Sequence, residues 1–381
     1  MLGFSVLGRD GTSAARRGRL VLDHGPVETP AFMPVGTAGS VKAIRWEDVA
    51  LAGGEIVLAN TYHLMLRPGG DAVRRLGGLH RFTGWTGPIL TDSGGFQVMS
   101  LAANRKLSEE GAAFRSHLDG TEFLLTPERA IELQARDFGV DVAMVLDECT
   151  PHPATFEEAR VSMERTHRWA ARSLSRFREI AGDGGRGALF GIVQGGMYEG
   201  LRAESVAALA AMPFDGLACG GLSVGEPKGD MRRLVAFTGP RLPAERPRYL
   251  MGVGRPDDLV HAVAHGFDMF DCVLPTRAAR HGLLYTSEGT LTIKQARYRE
   301  DPRPPDPACG CPTCRTCSRA YLRHLFVSGE PTAATLLTVH NLTSILDLMR
   351  RIRDALEKKA FGALAAETAE RSRTDDRKDT R

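Results

Sequence analysis

Eight short apolar runs punctuate the chain: TPAFMPV, EIVLAN, PILTD, VDVAMVLD, ALFGIVQG, DGLACGG, RYLMGVG and FDMFDCVLP. Continuous apolar, β-branched runs of about four to eight residues predict parallel strands buried on both faces, where half-exposed strands would alternate. Helical patterns lie between several of them. PERAIELQARDFG has helical apolar spacing, with Thr126 as candidate cap and Pro127 at the first-turn position that favours proline. FEEARVSMERTHRWAARSLSRFREI is long and amphipathic, and ESVAALAAMPF and PDDLVHAVAHGF fill the same role later. Strands alternating with helices predict a parallel sheet, and eight such units predict a closed (β/α)8 TIM barrel of the α/β class.

Two stretches exceed a simple barrel loop. One runs from GLHRFTGW to EFLLTP, and its AAFRSHLDGTEFLL half, alternating about a DG turn, predicts a hairpin near the barrel mouth. The other starts at Gly282, with GLLYTSEGTLTIK, a proline-rich link and a cysteine cluster. The organisation expected is a barrel with an N-terminal sheet and a hairpin insertion over 1–281, a metal-binding subdomain over 282–345 and a terminal helix over 346–364. A tail over 365–381, alternating in charge and poor in aromatics, is expected to be disordered.

Composition narrows the class. The chain has 381 residues, 43% hydrophobic and 25% charged, as in a globular protein large enough for one barrel. No apolar stretch approaches the roughly 18 residues of a membrane span, and MLGFSVLGRDGTSAARRGRL has no secretory pattern. No membrane association and a cytoplasmic location are therefore expected. Net charge is only +3, but Arg277 to Arg323 holds nine Lys/Arg against four Asp/Glu. That local excess suits a polyanion and equally suits a solvated face.

Four of the seven cysteines fall between Cys309 and Cys317, a density that fits a metal better than secreted disulfides. Cys309, Cys311 and Cys314 place three thiolates on a tight knuckle with Gly310 and Pro312. Zinc takes four ligands in a tetrahedron, so one position is open to Cys317 or His340. Spacing slightly favours Cys317, whereas His340 needs the intervening helical segment to fold back. A closed four-ligand set makes one structural Zn2+ per chain the expectation.

Three of the apolar runs end on aspartates: Asp92, Asp147 and Asp271. One such residue would read as a helix cap; three beside glycine-rich loops read as a barrel active site, whose groups come from several strand ends. Asp92 precedes Ser93, Gly94, Gly95 and Phe96; LDEC adds Cys149, GIVQGG adds Gln194, and ACGGLSVGE adds Gly221, Leu222 and Val224. A planar heterocycle suits this set: Asp147 accepts, Gln194 donates and accepts, and Gly221 offers its backbone N–H. Phe96 and Met251 could pack on the ring faces. Arg277 and Arg280, six and nine residues past Asp271, suit a phosphate backbone. Paired carboxylates beside a ribose suggest chemistry at an N-glycosidic carbon, with one as nucleophile and one moving protons. On these residues alone, glycoside hydrolysis and base transfer stand equally open.

The motifs TDSGGFQVMS, GIVQGG, GGLSVGE, YLMGVGRPDD, FDCVLPTRAARHG and CxCxxC…HN, in this order, resemble the queuine tRNA-ribosyltransferases (tRNA-guanine transglycosylases) of bacterial type, over about residues 3 to 360. The resemblance implies a pentosyltransferase of queuosine biosynthesis, a homodimer. It would exchange the wobble guanine of GUN-anticodon tRNAs (Asp, Asn, His, Tyr) for 7-aminomethyl-7-deazaguanine (preQ1) through a covalent enzyme–RNA intermediate. It implies Asp271 as nucleophile and Asp92 as general acid/base. Asp92, Ser93 to Phe96, Asp147, Cys149, Gln194, Gly221, Leu222, Val224 and Met251 would meet the base. Gly252, Val253, Gly254, Arg255, Pro256, Asp257 and Asp258 would contact RNA, as would Thr276, Arg277, Ala278, Ala279 and Arg280. It assigns the metal to Cys309, Cys311, Cys314 and His340; Cys317 falls where the family has no ligand. Val224 and Cys149 resemble the bacterial pocket, where a glycine in place of Val224 would admit the bulkier queuine. A barrel glycoside hydrolase would leave the cysteine knuckle and the base-shaped set unexplained. A non-catalytic RNA-binding module would leave the aspartates idle.

Overall fold

The computed structural model of the chain describes residues 3–101, 105–182 and 187–379. Its central feature is an eight-stranded parallel sheet of Ala31–Met33, Val57–Ala59, Ile89–Thr91, Val142–Met144, Ala188–Val193, Gly216–Cys219, Arg248–Leu250 and Met269–Asp271. These are the eight apolar runs. Each strand pairs in parallel with its sequence neighbour, the eighth pairs with the first, and a parallel bridge from Val35 to Leu58 joins the first to the second. The barrel is thereby closed. Every residue of the first seven strands is buried, which is why the runs are continuously apolar.

Helices wrap the barrel, among them Trp46–Leu51, Phe156–Gly182, Glu199–Ala210, Lys228–Thr238 and Pro256–Ala264. The helix expected after Thr126 is capped by that residue, whose hydroxyl accepts from the Arg129 N–H at 3.1 Å, with Pro127 in the first turn. It is α-helical only over Pro127–Ile131 and widens to a π-helix over Glu132–Phe138. Gln134, fully buried in the wide turn, accepts from the Met144 N–H and donates to the Ala130 and Met144 carbonyls. A polar side chain inserted into the helix ladder is one cause of such bulges.

A three-stranded antiparallel sheet, Gly3–Arg9, Arg16–Leu22 and Gly25–Thr29, sits at the N-terminal end of the barrel strands. Arg16, fully buried, forks onto Asp268 just ahead of the eighth strand, at 2.9 and 2.5 Å. His24, in the turn of that sheet, and His80 both bond Asp141, at 2.9 and 3.1 Å. The two imidazoles stack with centroids 3.5 Å apart and planes at 12°. Both imidazoles are thereby held on one buried carboxylate, and the group clasps the sheet to the barrel. The opposite, C-terminal end is left open for chemistry.

The expected hairpin forms from Ala112–Arg115 and Glu122–Leu125, with Lys106–Leu107 as a third strand and Gly120 at φ 77 in the turn. Past the eighth strand come Leu274–Arg280, a hairpin of Leu283–Thr286 and Gly289–Thr292, and helices Pro312–Thr316, Arg319–Val327 and Pro331–Glu357. Gly329, at φ 73, reverses the chain between the last two. The Pro331–Glu357 helix runs unbroken through the boundary drawn at residue 345.

The tail read as disordered from residue 365 is instead helical over Phe361–Asp379, with 380–381 outside the described residues. Buried Phe361 and Leu364 anchor it, and Glu367 pairs with Arg371 one turn on and with Arg351 of the preceding helix at 3.3 Å. The alternating charges that suggested disorder are spaced as helix-stabilising pairs. Among the described residues no helix is long and apolar enough to cross a membrane.

Candidate functional site

The barrel brings Asp92, Asp147, Gln194, Gly221, Met251 and Asp271 to one end, because each lies at or just past the C-terminal end of its own strand. Asp92, 8% exposed, is held from two sides: the Thr61 N–H donates to Oδ1 at 2.8 Å and Asn60 Nδ2 to Oδ2 at 2.5 Å. Asn60 ends the second strand run, EIVLAN, and Thr61 opens the helix that follows; neither carries a role in the sequence motifs. Burial nevertheless pushes the Asp92 carboxyl up to about 6, against the bonds from Asn60, Thr61 and Gln97, and the Asp271 carboxylate adds to the rise. A carboxyl poised there can both give and take a proton near neutrality.

That shift fixes a stability signature. A folded-state value above the ordinary 3.8 means the fold prefers the protonated acid. The stability so gained is full below about pH 4 and is lost as pH rises through about 6. Asp92→Asn, which keeps the shape without the charge, is expected to exceed the native protein in stability at pH 7.5 by up to about 3 kcal/mol. Near pH 4 the two should match. Urea unfolding at both pH values measures this, and equal stability at pH 7.5 would refute the raised carboxyl.

Asp271 is served differently. The Tyr249 hydroxyl at 2.6 Å and the Gly252 N–H at 2.8 Å both donate to its Oδ1. Among the described residues no bond is made to Oδ2, so one oxygen is anchored and the other is available. Burial raises this carboxyl despite those two donors. Tyr249, fully buried in the seventh strand, opens the YLMGVG motif. Tyrosine two residues before Met251 points the same way as Met251 by strand alternation, which is the signal that could have found it.

Asp147 and Gln194 form the polar wall. Ser93 Oγ donates to Asp147 Oδ1 at 3.0 Å and Gln194 Nε2 to Oδ2 at 2.7 Å, and burial raises the Asp147 carboxyl. Ser93 thus braces Asp147, and its Oγ also accepts from the Gly95 N–H at 3.1 Å. Gln194 Oε1 is buried without any hydrogen-bond partner, an acceptor that a bound donor would satisfy. A Cβ on Gly221, at φ 63, would fall 2.4 Å from that oxygen, and one on Gly95 2.6 Å from the Asp147 carbonyl. Only glycine permits these approaches. Cys149, whose thiol burial drives up to about 12, lies on the side of the Gly221 backbone N–H.

At the rim, Leu222 is buried, Val224 and Met251 are half-buried, and Phe96, next after Gly95, is 50% exposed. Glu226, not singled out from sequence, accepts from the Ser223 and Val224 N–H groups at 2.5 and 2.8 Å and fixes the Val224 loop, with Ser223 at φ 59.

The segments expected to touch RNA are only partly at the surface. Gly252, Arg255 and Arg277 are exposed and Pro256, Asp257 and Arg280 half-buried, whereas Val253, Gly254, Asp258, Thr276, Ala278 and Ala279 are buried. Asp257 and Asp258 are taken up by Lys228 and Arg232 on the neighbouring helix, at 2.5 to 3.6 Å. Their carboxylates would in any case repel phosphate.

Cys309, Cys311, Cys314 and His340 converge with all ligand atoms within 4.8 Å of one another, a group that could hold one metal ion. His340 Nδ1 lies 3.6 Å from Cys311 Sγ and 3.2 Å from Cys314 Sγ. Its Nε2 sits 2.8 Å from the Tyr285 carbonyl, which sets the tautomer and leaves Nδ1 free to ligate. Hydrogen bonds from the Cys309 and Cys314 thiols hold the Cys311 thiol well below the ordinary thiol range. Cys317 stands outside the group, half-buried against the small core of Leu284, Leu322 and Leu337.

A family model described as Queuine tRNA-ribosyltransferase matches residues 10–374. Similar curated proteins carry the same name. One from Aromatoleum aromaticum is 57% identical over 353 residues, covering 93% of this chain and 94% of its own. One from Methylobacillus flagellatus is 55% identical over 364 residues, 96% of each, and one from Desulforudis audaxviator 53% over 361 residues, 95% and 96%.

Proposed function

The chain belongs to the queuine tRNA-ribosyltransferase family, and we propose that it exchanges the wobble guanine of GUN-anticodon tRNAs for 7-aminomethyl-7-deazaguanine by double displacement. Asp271 Oδ2 attacks C1′ of the ribose as the C1′–N9 bond breaks, giving a covalent sugar ester, while Asp92 supplies the proton that the departing guanine takes up. The incoming base then loses its N9 proton to Asp92 and attacks C1′, and the ester bond to Asp271 breaks. Asp147, Gln194 and the Gly221 N–H orient each base in turn.

The observation that carries this reading is the division of labour between two strand-end carboxylates, Asp92 buried and Asp271 half-buried. Asp271 is anchored through one oxygen with the other unencumbered, and Asp92 is tuned to about 6. Exposed Arg255 and Arg277, with Arg280 behind them, supply positive charge for the anticodon backbone. The Cys3His group would hold one zinc, its thiolate and imidazole donors being those zinc prefers, and with four protein ligands its role would be structural. The reading includes a homodimer working in the cytoplasm. Incubation with radiolabelled guanine and a GUN-anticodon tRNA tests the activity: label must enter the tRNA, and binding without incorporation would leave only an RNA-binding protein.

Substrate choice gives a further expectation. Val224, half-buried and held by Glu226, would fill the space beyond position 7 of the base. An aminomethyl group would fit there, its ammonium meeting the Leu222 carbonyl in a charge-assisted bond, but a cyclopentenediol would collide. Val224→Gly should therefore gain queuine exchange and lose little with 7-aminomethyl-7-deazaguanine. Native enzyme that takes both bases equally would show that Val224 does not set the choice.

A further inference from the structure

Arg202 is fully buried in the helix after the fifth strand, and all five of its N–H groups are used. Nε donates to the Gly196 carbonyl at 2.9 Å; Nη1 reaches the Gly220 carbonyl and Cys219 Sγ, and Nη2 the Gly220 and Gly221 carbonyls, each at 3.2 Å. None of these partners is a carboxylate. The guanidinium thus joins the loop that carries Gln194 to the loop that carries Gly221. The Gly220 carbonyl, bonded twice, shares its peptide unit with the Gly221 N–H. In a trans peptide the two point in opposite directions, so a carbonyl turned to Arg202 turns that N–H toward the pocket, on the side of Cys149.

We infer that Arg202 is a positioning residue for base recognition: it aims the Gly221 N–H into the pocket and, by polarising its peptide unit, strengthens it as a donor to an exocyclic oxygen of the base. This rests on the base-exchange reading above. Chained hydrogen bonds reinforce one another in a low-dielectric site, and the charge here falls on three carbonyl dipoles and one thiol sulfur, with no carboxylate to neutralise it. Lysine, with three donors and no planar fork, cannot serve both loops.

The test compares guanine with 2-aminopurine, which lacks the exocyclic oxygen, as inhibitors of labelled-guanine exchange by the full-length enzyme. Native enzyme should favour guanine strongly. In Arg202→Lys and Arg202→Gln the preference should fall about tenfold, the worth of one buried hydrogen bond, with KM for tRNA unchanged. Equal weakening of both bases, with the preference intact, would overturn the inference by making Arg202 merely structural. So would failure of both variants to fold, since no separable positioning role would remain. Native enzyme that exchanges guanine without discriminating would overturn it while sparing the exchange reading. Native enzyme that exchanges nothing would overturn both.

Discussion

Asp271→Asn should abolish base exchange while tRNA still binds. Asparagine is nearly isosteric, and its Oδ1 can keep the bonds from the Tyr249 hydroxyl and the Gly252 N–H that now hold the carboxylate. What it puts in place of Oδ2 is an amide nitrogen, which is no nucleophile at C1′. The loss should be on the order of 10^4-fold or more, the scale on which removing a covalent nucleophile acts, and no other local feature needs to change. Arg255 and Arg277, exposed beside the site, are untouched, so tRNA affinity should stay within about threefold of native at fixed salt, since the phosphate contacts that dominate it remain. Denaturing gels of enzyme incubated with tRNA make the decision. Native enzyme should give a covalent RNA–protein band that survives denaturation, and the variant none. A variant that still forms the adduct would move the nucleophile elsewhere, with Asp92 first in line.

The parts of this molecule that could be read from its sequence are those dictated by local pattern. All eight barrel strands were legible because burial on both faces leaves no polar interruption, as in Ala188–Val193. The placement of Asp92, Asp147 and Asp271 was legible because each closes an apolar run at the C-terminal end of a barrel strand. The residues that hold those carboxylates were not. Asn60 and Thr61 reach Asp92 from a neighbouring strand end, and Arg202 lies in the first turn of the Glu199–Ala210 helix, where an arginine ordinarily faces water. Its burial is decided by carbonyls on two other loops, a relation that no periodicity encodes. The same holds for Gln134, which widens its helix by bonding a strand. In the tail, charge alternation was read as composition, whereas spacing and the buried Phe361 decide for helix.

The fourth position of the metal group shows the same divide, and leads to the second large effect expected. Spacing alone favoured Cys317, the near neighbour; the structure brings His340 instead, because Gly329 reverses the chain and the Pro331–Glu357 helix returns to the knuckle. Zinc bonds of about 2.3 Å to sulfur and 2.0–2.1 Å to nitrogen put tetrahedral ligand atoms about 3.6 Å apart. The separations from His340 Nδ1 to Cys311 and Cys314, 3.6 and 3.2 Å, sit close to that. The core around the group is small, built on Leu284, Leu291, Ile293, Tyr298, Leu322 and Leu337. A segment with so few buried side chains gains much of its folding free energy from a metal where one is bound. Cys314→Ser should therefore lose the zinc and much of the soluble protein together, beyond the roughly 0.5–3 kcal/mol of an ordinary substitution. Prolonged treatment of the native protein with a strong chelator should lower its melting temperature in the same direction. Cys317→Ser should keep one equivalent of zinc by metal analysis, and His340→Ala should not. Zinc lost from the Cys317 variant and retained in the His340 variant would overturn the assignment, and would mean that the knuckle closes on its own cysteines without the returning helix.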